Sequence, residues 1–291
     1  DAETITLDRI AGTAQLVGDA RAVIYLAKGA DTRAPKPGQD DEKPLAWKLA
    51  ADRIDAQLEI GQQQIQLKEV VAVGTVRLQQ EQGNIEFRGQ HCHWDHQNQR
   101  LVLSSVDGQG LQTFVRGTEL RDEVVAREVV VVRSTSPGKQ AHERLEVLLS
   151  SVLSAVIQLE PTGETETGSF EMRADEMLLI LREDEEGGSL RPHEALAWGA
   201  TDLRGGPYRI LAERARVLVR NRSVELTGGD RQPVQVMRDG SSDLPPSRSV
   251  KLTWGPRGYR VQNLPRGGGW SSSEIDSVLK RMGRSDRRPS D

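Results

Sequence analysis

The sequence has few of the residues on which disulfide-stabilised folds and much of catalysis depend. Cysteine occurs once among the 291 residues, at Cys92, which excludes an intrachain disulfide and a zinc site built from several thiolates of this chain. Aromatic residues make up only 4% of the chain, which argues against a protein that stacks nucleic-acid bases. No run approaches the roughly 18 consecutive apolar residues of a membrane-spanning helix.

An excess of one charge is also missing, because 39 Lys and Arg residues are interspersed with 43 Asp and Glu residues. A basic footprint is therefore absent, and we expect no nucleic-acid partner. The sequence lacks a phosphate-binding glycine loop, a dinucleotide fingerprint, a nucleophile elbow and a zincin helix. We therefore predict that the protein is not an enzyme and that it uses no cofactor.

Short runs with a period of two are the main signal that is present. The segment Ala72–Leu78 alternates cleanly, Leu101–Leu103 and Tyr208–Ile210 alternate over a shorter length, and Val124–Val132 is rich in valine. Each run is bounded by Gly, Asp, Asn or Pro. Many short strands separated by turns are typical of an all-β fold, so we predict a sandwich, barrel or jelly roll.

The two halves of the sequence resemble each other. Ala51-Asp52 lines up with Ala174-Asp175, 123 residues later, and Gly74 lines up with Gly199, 125 residues later. We therefore predict two tandem β repeats, residues 1–140 and 141–264, followed by a Gly-rich linker, a short helix and a polar tail in residues 265–291. Four apolar positions correspond in the same way: Ile85, Phe87, Leu101 and Leu103 match Tyr208, Ile210, Val224 and Leu226.

The segment 145–159 can be interpreted in two ways. Its apolar residues Leu145, Leu148, Val152 and Val156 fit one face of a helix. However, the pattern Ala-Val-Ile-x-Leu of residues 22–26 recurs at residues 155–159. The repeat therefore favours a strand over 152–159.

Three further segments have a local interpretation. The polar, Pro-containing segment 28–44 predicts a solvated loop, and the Arg-rich segment 284–291 a frayed tail. Ser272-Ser273-Glu274 has the pattern of a helix cap. The helix that follows would carry Ile275, Val278, Leu279 and Met282 on one face.

One cluster of potential metal ligands is present, at residues 91–96. On a strand His91 and His93 point to the same face, and with Asp95 or His96 they could hold Zn²⁺ or Cu²⁺. The corresponding residues in the second half include Arg214, which binds no metal. A solvated strand that ends in a turn also explains the cluster and is the favoured interpretation, so we predict no metal site and leave metal binding as the alternative.

The repeated motifs resemble those of the OstA-like family of lipopolysaccharide-transport proteins. An Ala-Asp pair opens a strand, an alternating segment with a central glycine follows, and an apolar-x-Leu ending closes the unit. The second half contains Ala174-Asp175, Ala197-Trp198-Gly199 and Val224–Gly228, and the first contains Ala51-Asp52 and Val70–Leu78. The resemblance covers roughly residues 15–240, whereas the 28–44 loop, the histidine cluster and the C-terminal tail depart from the family pattern.

The resemblance implies a β-jelly roll of antiparallel strands that carries lipid without covalent chemistry. Family members include the periplasmic bridge of lipopolysaccharide transport, its inner-membrane-anchored partner and the N-terminal domain of the outer-membrane assembly protein. Members hold acyl chains inside the roll and pair end to end through edge strands. We therefore predict lipopolysaccharide or another long-chain lipid as ligand, with other envelope transport proteins or further copies of this chain as partners. The predicted lipid-binding residues are Ile24, Leu26, Val76, Leu78, Ile85, Phe87, Leu101, Leu103, Tyr208, Ile210, Val217, Val219, Val224 and Leu226.

The family implies a location in the periplasm or cell envelope. The sequence begins at Asp1 without methionine, so we expect a mature or shortened form, and whether a signal or membrane anchor was removed stays open. Two alternatives remain besides lipid transport. One is a structural or interaction module that assembles through its strand edges without lipid, and the other is a metal-dependent enzyme built on residues 91–96.

Overall fold

In the residues that the computed structural model describes, the fold is all-β except for one helix, as the sequence predicted. The structure describes residues 1–26, 45–60, 65–80, 85–98, 100–105, 111–116, 121–135, 143–158, 169–183, 190–219, 221–229, 232–255, 258–264 and 272–282. Within these ranges seventeen strands form one open sheet in which all pairings are antiparallel. The loop predicted over 28–44 and the tail over 284–291 lie outside the described residues. The elements are β1 (Thr4–Asp8), β2 (Thr13–Leu26), β3 (Leu45–Ile60), β4 (Ile65–Gln80), β5 (Ile85–Asp95), β6 (Arg100–Ser104), β7 (Leu111–Arg116), β8 (Arg121–Thr135), β9 (Glu143–Gln158), β10 (Ser169–Glu183), β11 (Leu190–Gly205), β12 (Tyr208–Leu218), β13 (Ser223–Thr227), β14 (Gln235–Arg238), β15 (Ser241–Ser242), β16 (Ser249–Gly255), β17 (Gly258–Asn263) and α1 (Ser272–Arg281).

Strands that follow one another in the chain usually pair with one another. β2 to β5 form a meander, and β9 to β12 form another. The first half of β5 pairs with β7 and its second half with β6, while the long β8 pairs with both. β12 likewise pairs with β14 through its first half and with β13 through its second half. Within the described residues, β1 and β17 each pair with one strand and lie at edges of the sheet, as does the two-residue β15, which pairs with β14.

The strand predicted over 152–159 is confirmed as far as the described residues extend, because β9 continues to Gln158. Ile157 pairs with Phe170 just as Ile24 pairs with Trp47. Residues 145–150 are buried on both faces of the sheet. Burial on both faces places apolar residues at consecutive positions, and this explains why the segment also fits a helical pattern.

A line of bulges bends the strands at the motifs that the two halves share. The register shifts between Ala50 and Arg53 on β3, and the bulge on β4 contains Gly74, whose φ is +98°. A Cβ atom added to Gly74 would overlap the carboxylate of Asp52 on β3. That carboxylate accepts a hydrogen bond of 3.1 Å from the Thr75 amide. The spacing of aspartate and glycine therefore has a steric cause, since only glycine fits beneath the aspartate.

The same arrangement occurs in the second half of the chain. β10 shifts its register between Arg173 and Glu176, and Gly199 on β11 has a φ of +72°. The Asp175 side chain lies where a Cβ atom of Gly199 would be. The two aspartate–glycine pairs therefore perform the same structural role.

The inward face of the sheet forms one continuous core. Its buried residues make a single cluster that extends from Ala20 on β2 to Leu252 on β16. Phe170 on β10 and Trp254 on β16 are not on paired strands, yet their rings lie 5.4 Å apart. The Tyr259 hydroxyl on β17 also donates a hydrogen bond to the carbonyl of Ser169. The sheet therefore curves until distant parts of its inward face meet.

The predicted C-terminal helix is confirmed, and it packs on the outward face of the sheet. Val278 and Met282 are buried there, with Leu279 partly buried beside them. The helix bridges strands from both halves of the chain, since its apolar face meets a patch formed by Val102, Val130, Val132, Leu148, Leu178, Ile180, Leu196 and Trp198.

Candidate functional site

The residues predicted to bind lipid face inward, where they are tightly packed. Phe87 and Ile210 have no exposed surface, and Tyr208 is only 9% exposed. Val219 follows β12 and is half-buried, while the side chain of Leu26 lies outside the described part of the structure. An acyl chain can touch the buried members only if the facing parts of the sheet separate. The packed members are Ile24, Val76, Leu78, Ile85, Phe87, Leu101, Leu103, Tyr208, Ile210, Val217, Val224 and Leu226.

The inward face is open at the edge strand β1. Ile5 and Leu7 are 65% and 48% exposed, although they lie in register with Leu16 and Ala14 on the inward side of β2. Neither residue is among the lipid-binding residues predicted from the sequence. The alternation of Ile5 and Leu7 in Thr4–Asp8 is a strand signal that could have indicated them.

A comparison within the chain shows why this edge is open. Ile5 pairs with Leu16, and Val129 on β8 pairs with Leu149 at the corresponding place of β9. Val129 is fully buried because β8 has a second neighbour, β6, whose Leu103 lies beside it. β1 has no such neighbour in the described structure, so the equivalent isoleucine remains in solvent.

The opposite end of the first half has a polar group inside the core. Trp47 is the third residue of β3 and lies opposite Ile24 and Gln80, with its ring 5.7 Å from that of Phe87. Its Nε1 atom is buried and has no hydrogen-bond acceptor among the described residues. The corresponding residue of the second half is Phe170. The shift of 123 residues that relates Ala51-Asp52 to Ala174-Asp175 also relates Trp47 to Phe170, but the sequence alone does not show that the indole nitrogen is a buried donor.

The outward face of the first half is charged and well paired. Glu86 is only 2% exposed, and its carboxylate accepts hydrogen bonds from Arg77 and Arg88. Burial alone would raise the pKa of Glu86, but the two arginines outweigh it and lower the pKa below its usual value. In the second half, Asp202 and Arg209 form the equivalent pair with the charges exchanged.

A groove of about 690 Å³ lies on the outward face of β2 to β4. The residues that line it include Arg21, Ala22, Val23, Lys48 and Arg77. This groove is separated from the core by the sheet itself, so it cannot contribute to an inward-facing lipid site.

The histidine cluster does not form a metal site in the described structure. His93 is held by Glu69, with 2.6 Å between Nε2 and Oε1, and the ring of His96 packs against the edge of Trp94. No group of three or more His, Cys, Asp or Glu side chains within the described ranges could hold a metal ion. Cys92 points into the core, where burial raises the pKa of its thiol to about 12. The thiol is therefore protonated and shielded at neutral pH.

Comparisons with known proteins found no matching family, curated protein or solved structure. Across the described residues, no helix has the length and apolar character needed to span a bilayer. The candidate site is therefore the inward apolar face, with an open end at β1 and a buried indole donor at the opposite end.

Proposed function

We propose that the protein carries or bridges a long-chain lipid of the lipopolysaccharide type in the cell envelope, without enzymatic chemistry. The observation that supports this best is the single cluster of buried apolar residues that extends from Ala20 to Leu252. An acyl chain placed along such a face gains about 0.8 kcal/mol for each CH₂ group that it buries. Charged head groups would remain in water at the rim.

The proposed fold is a β-jelly roll built from two tandem repeats. In support, β2 to β5 and β9 to β12 have the same pairing order, and each meander is followed by two short strands that share one partner. The aspartate–glycine pairs at Gly74 and Gly199 recur with the same contact. This arrangement agrees with the resemblance to the OstA-like family, which also suggests the periplasm as the location.

Binding in this roll is coupled to separation of its walls, because the inward residues already touch one another. The open part at Ile5 and Leu7 offers the first apolar surface to a chain that enters or leaves. Separation exposes core residues to the acyl chain rather than to water, so the lipid replaces the contacts that are lost. The full interior is therefore available to a lipid and not to small polar molecules.

A photocrosslinking experiment tests this function. A photoreactive amino acid at Phe87 or Ile210, introduced in envelope-containing cells, is expected to capture lipopolysaccharide or another long-chain lipid. Arg88, which follows Phe87 and is exposed, provides the matched outward control. Lipid adducts at Arg88 with none at the two inward positions would contradict the proposal.

A second candidate function is an interaction module that assembles through its strand edges without lipid. The filled core and the exposed Ile5 and Leu7 favour it. β1 offers a free edge and an apolar face. On β8, the corresponding strand, this edge is covered by β6. A strand from an envelope partner or from a second copy of the chain would complete it, since an unpaired edge is a template for strand addition.

Charge on the edge strand tests this second candidate. Ile5→Lys should abolish self-association measured by light scattering, because an inward-pointing lysine opposes edge pairing. Leu153→Lys, at a residue that is also exposed (39%) but lies on β9, is the matched control. Equal association of both variants and the original chain would exclude assembly through β1.

A further inference from the structure

The indole nitrogen of Trp47 is a buried hydrogen-bond donor without an acceptor in the described structure. The side chain is 1% exposed, and its Nε1 atom is shielded from solvent. Buried tryptophan N–H groups normally find a partner, because leaving the donor unpaired costs its full desolvation. Trp94 Nε1 is likewise buried without an acceptor, so the unpaired donor alone does not identify a ligand site, and the inference depends on the position and surroundings of Trp47.

Packing does not require a tryptophan at this position. Phe170 occupies the corresponding place on β10, opposite Ile157 as Trp47 is opposite Ile24. Phe170 is equally buried and forms an aromatic contact with Trp254. The same structural role is thus performed without a nitrogen in the second half.

The neighbours of Trp47 are also more polar than those of Phe170. Its neighbour on β4 is the buried amide side chain of Gln80, whereas Phe170 lies opposite Gly205. A Cβ atom at Gly205 would lie 3.3 Å from Phe170, so no larger side chain fits there without adjustment. One end of the first half is therefore polar, while the corresponding end of the second half is filled by apolar groups.

Trp47 also lies where a bound lipid would change from apolar to polar. It is close to the start of β3, and Gln80 is the last residue of β4. From Trp47 to Ile54, in the direction of the open end at β1, strand β3 extends over about 20 Å. An acyl chain along this path would place its tail toward β1 and its linkage to the head group beside the indole.

We propose that Trp47 Nε1 donates a hydrogen bond to the carbonyl oxygen of an ester- or amide-linked acyl chain, so that the first half selects acylated lipids over alkyl ethers. An acyl carbonyl suits this donor because it accepts a hydrogen bond and brings no proton that needs a partner. The inference rests on the proposed lipid function. A water molecule between Trp47 and Gln80 would satisfy the donor without lipid, and the experiment separates the two.

The test compares two lipids that differ in one carbonyl group, monolauroyl glycerol and the matching dodecyl glycerol ether. Binding of each lipid is measured by calorimetry with the original chain and with the Trp47→Phe variant. The second half already accommodates phenylalanine at the corresponding position, Phe170. The original chain is expected to prefer the ester by about three- to tenfold, the value of one net hydrogen bond. Trp47→Phe should lose that preference and retain its affinity for the ether. Trp254→Phe, which changes an indole in the second half, should keep the preference.

Nuclear magnetic resonance of the indole protons provides a measurement that does not depend on a variant's binding. The Trp47 Nε1–H signal, assigned by its disappearance in Trp47→Phe, should move downfield with the ester and not with the ether. Equal affinity for both lipids in the original chain, or an unmoved indole signal with the ester bound, would overturn the inference and indicate a structural water. Failure of both lipids to bind would instead overturn the proposed function.

Discussion

Substitution of Gly74 by alanine is expected to destabilise the protein through two separable effects. The first is backbone strain, because the φ of Gly74 is +98° and an L-residue in such a conformation costs about 1–2 kcal/mol. The second is steric, because the new Cβ atom would displace the Asp52 carboxylate and disrupt its hydrogen bond to the Thr75 amide. A net hydrogen bond contributes about 0.5–1.5 kcal/mol. Together they lower the free energy of unfolding by about 2–3 kcal/mol.

Two other glycines separate these effects. Gly240 has a φ of +82° and no atom within 4 Å of an added Cβ, so Gly240→Ala measures strain alone. Gly255 has equally open space and no positive φ, so Gly255→Ala should be neutral or slightly stabilising. If all 291 residues unfold together, Gly74→Ala should lower the melting temperature by about 3–5 °C.

The assay is thermal and urea unfolding followed by circular dichroism, with the double variant Asp52→Gly, Gly74→Ala as the decisive sample. The Cβ atom of Asp52 itself lies 2.6 Å from the Cβ atom added at residue 74, so Asp52→Gly is needed to remove the whole steric effect together with the hydrogen bond. In the Asp52→Gly background, adding Gly74→Ala should cost no more than Gly240→Ala. If Gly74→Ala proves as mild as Gly255→Ala, or if the two changes at Asp52 and Gly74 are simply additive, the steric explanation of the motif is wrong.

Three further predictions concern the core, the helix and the charged outward face. Cys92, with its thiol pKa raised to about 12, should react with maleimide only as fast as the protein unfolds; rapid labelling of the native protein would contradict its burial. Met282→Ala should lower the free energy of unfolding by about 2–3 kcal/mol, since Met282 is fully buried, whereas Lys280→Ala, at an exposed residue of the same helix, should have little effect. The lowered pKa of Glu86 means that its ion pairs stabilise the fold above its unfolded pKa and that this contribution disappears as pH falls through the folded value. Urea midpoints measured from neutral to acidic pH should therefore fall less steeply in Glu86→Gln than in the original chain. Parallel curves would show that the Glu86 ion pairs do not contribute this pH-dependent stability.

The exchanged ion pair shows what a comparison of the two halves by sequence could not detect. Arg77 and Glu86 correspond to Asp202 and Arg209 by the shifts of 125 and 123 residues that relate the two halves, so both charges are reversed and no identity remains. The ion pair is nevertheless retained. Attraction between neighbouring strands requires charges of opposite sign, and it does not depend on which strand carries the positive charge. Structure was needed to see that these residues form one equivalent contact.

The sequence by itself determined the elements that depend on local chemistry. Alternating apolar residues specified strands, and the Ser-Ser-Glu pattern marked the start of α1. These signals can be interpreted locally because side-chain period and helix capping act within a few residues.

Only the tertiary structure decided which apolar residues are buried and which remain open. Ile5 and Val129 occupy corresponding places, paired with Leu16 and Leu149, but the first is 65% exposed and the second fully buried. The physical reason is that burial requires a covering strand from a distant part of the chain, and β8 has one whereas β1 does not. The unpaired indole of Trp47 likewise became visible only when the residues around it were in place, since a donor is unsatisfied only with respect to its neighbours.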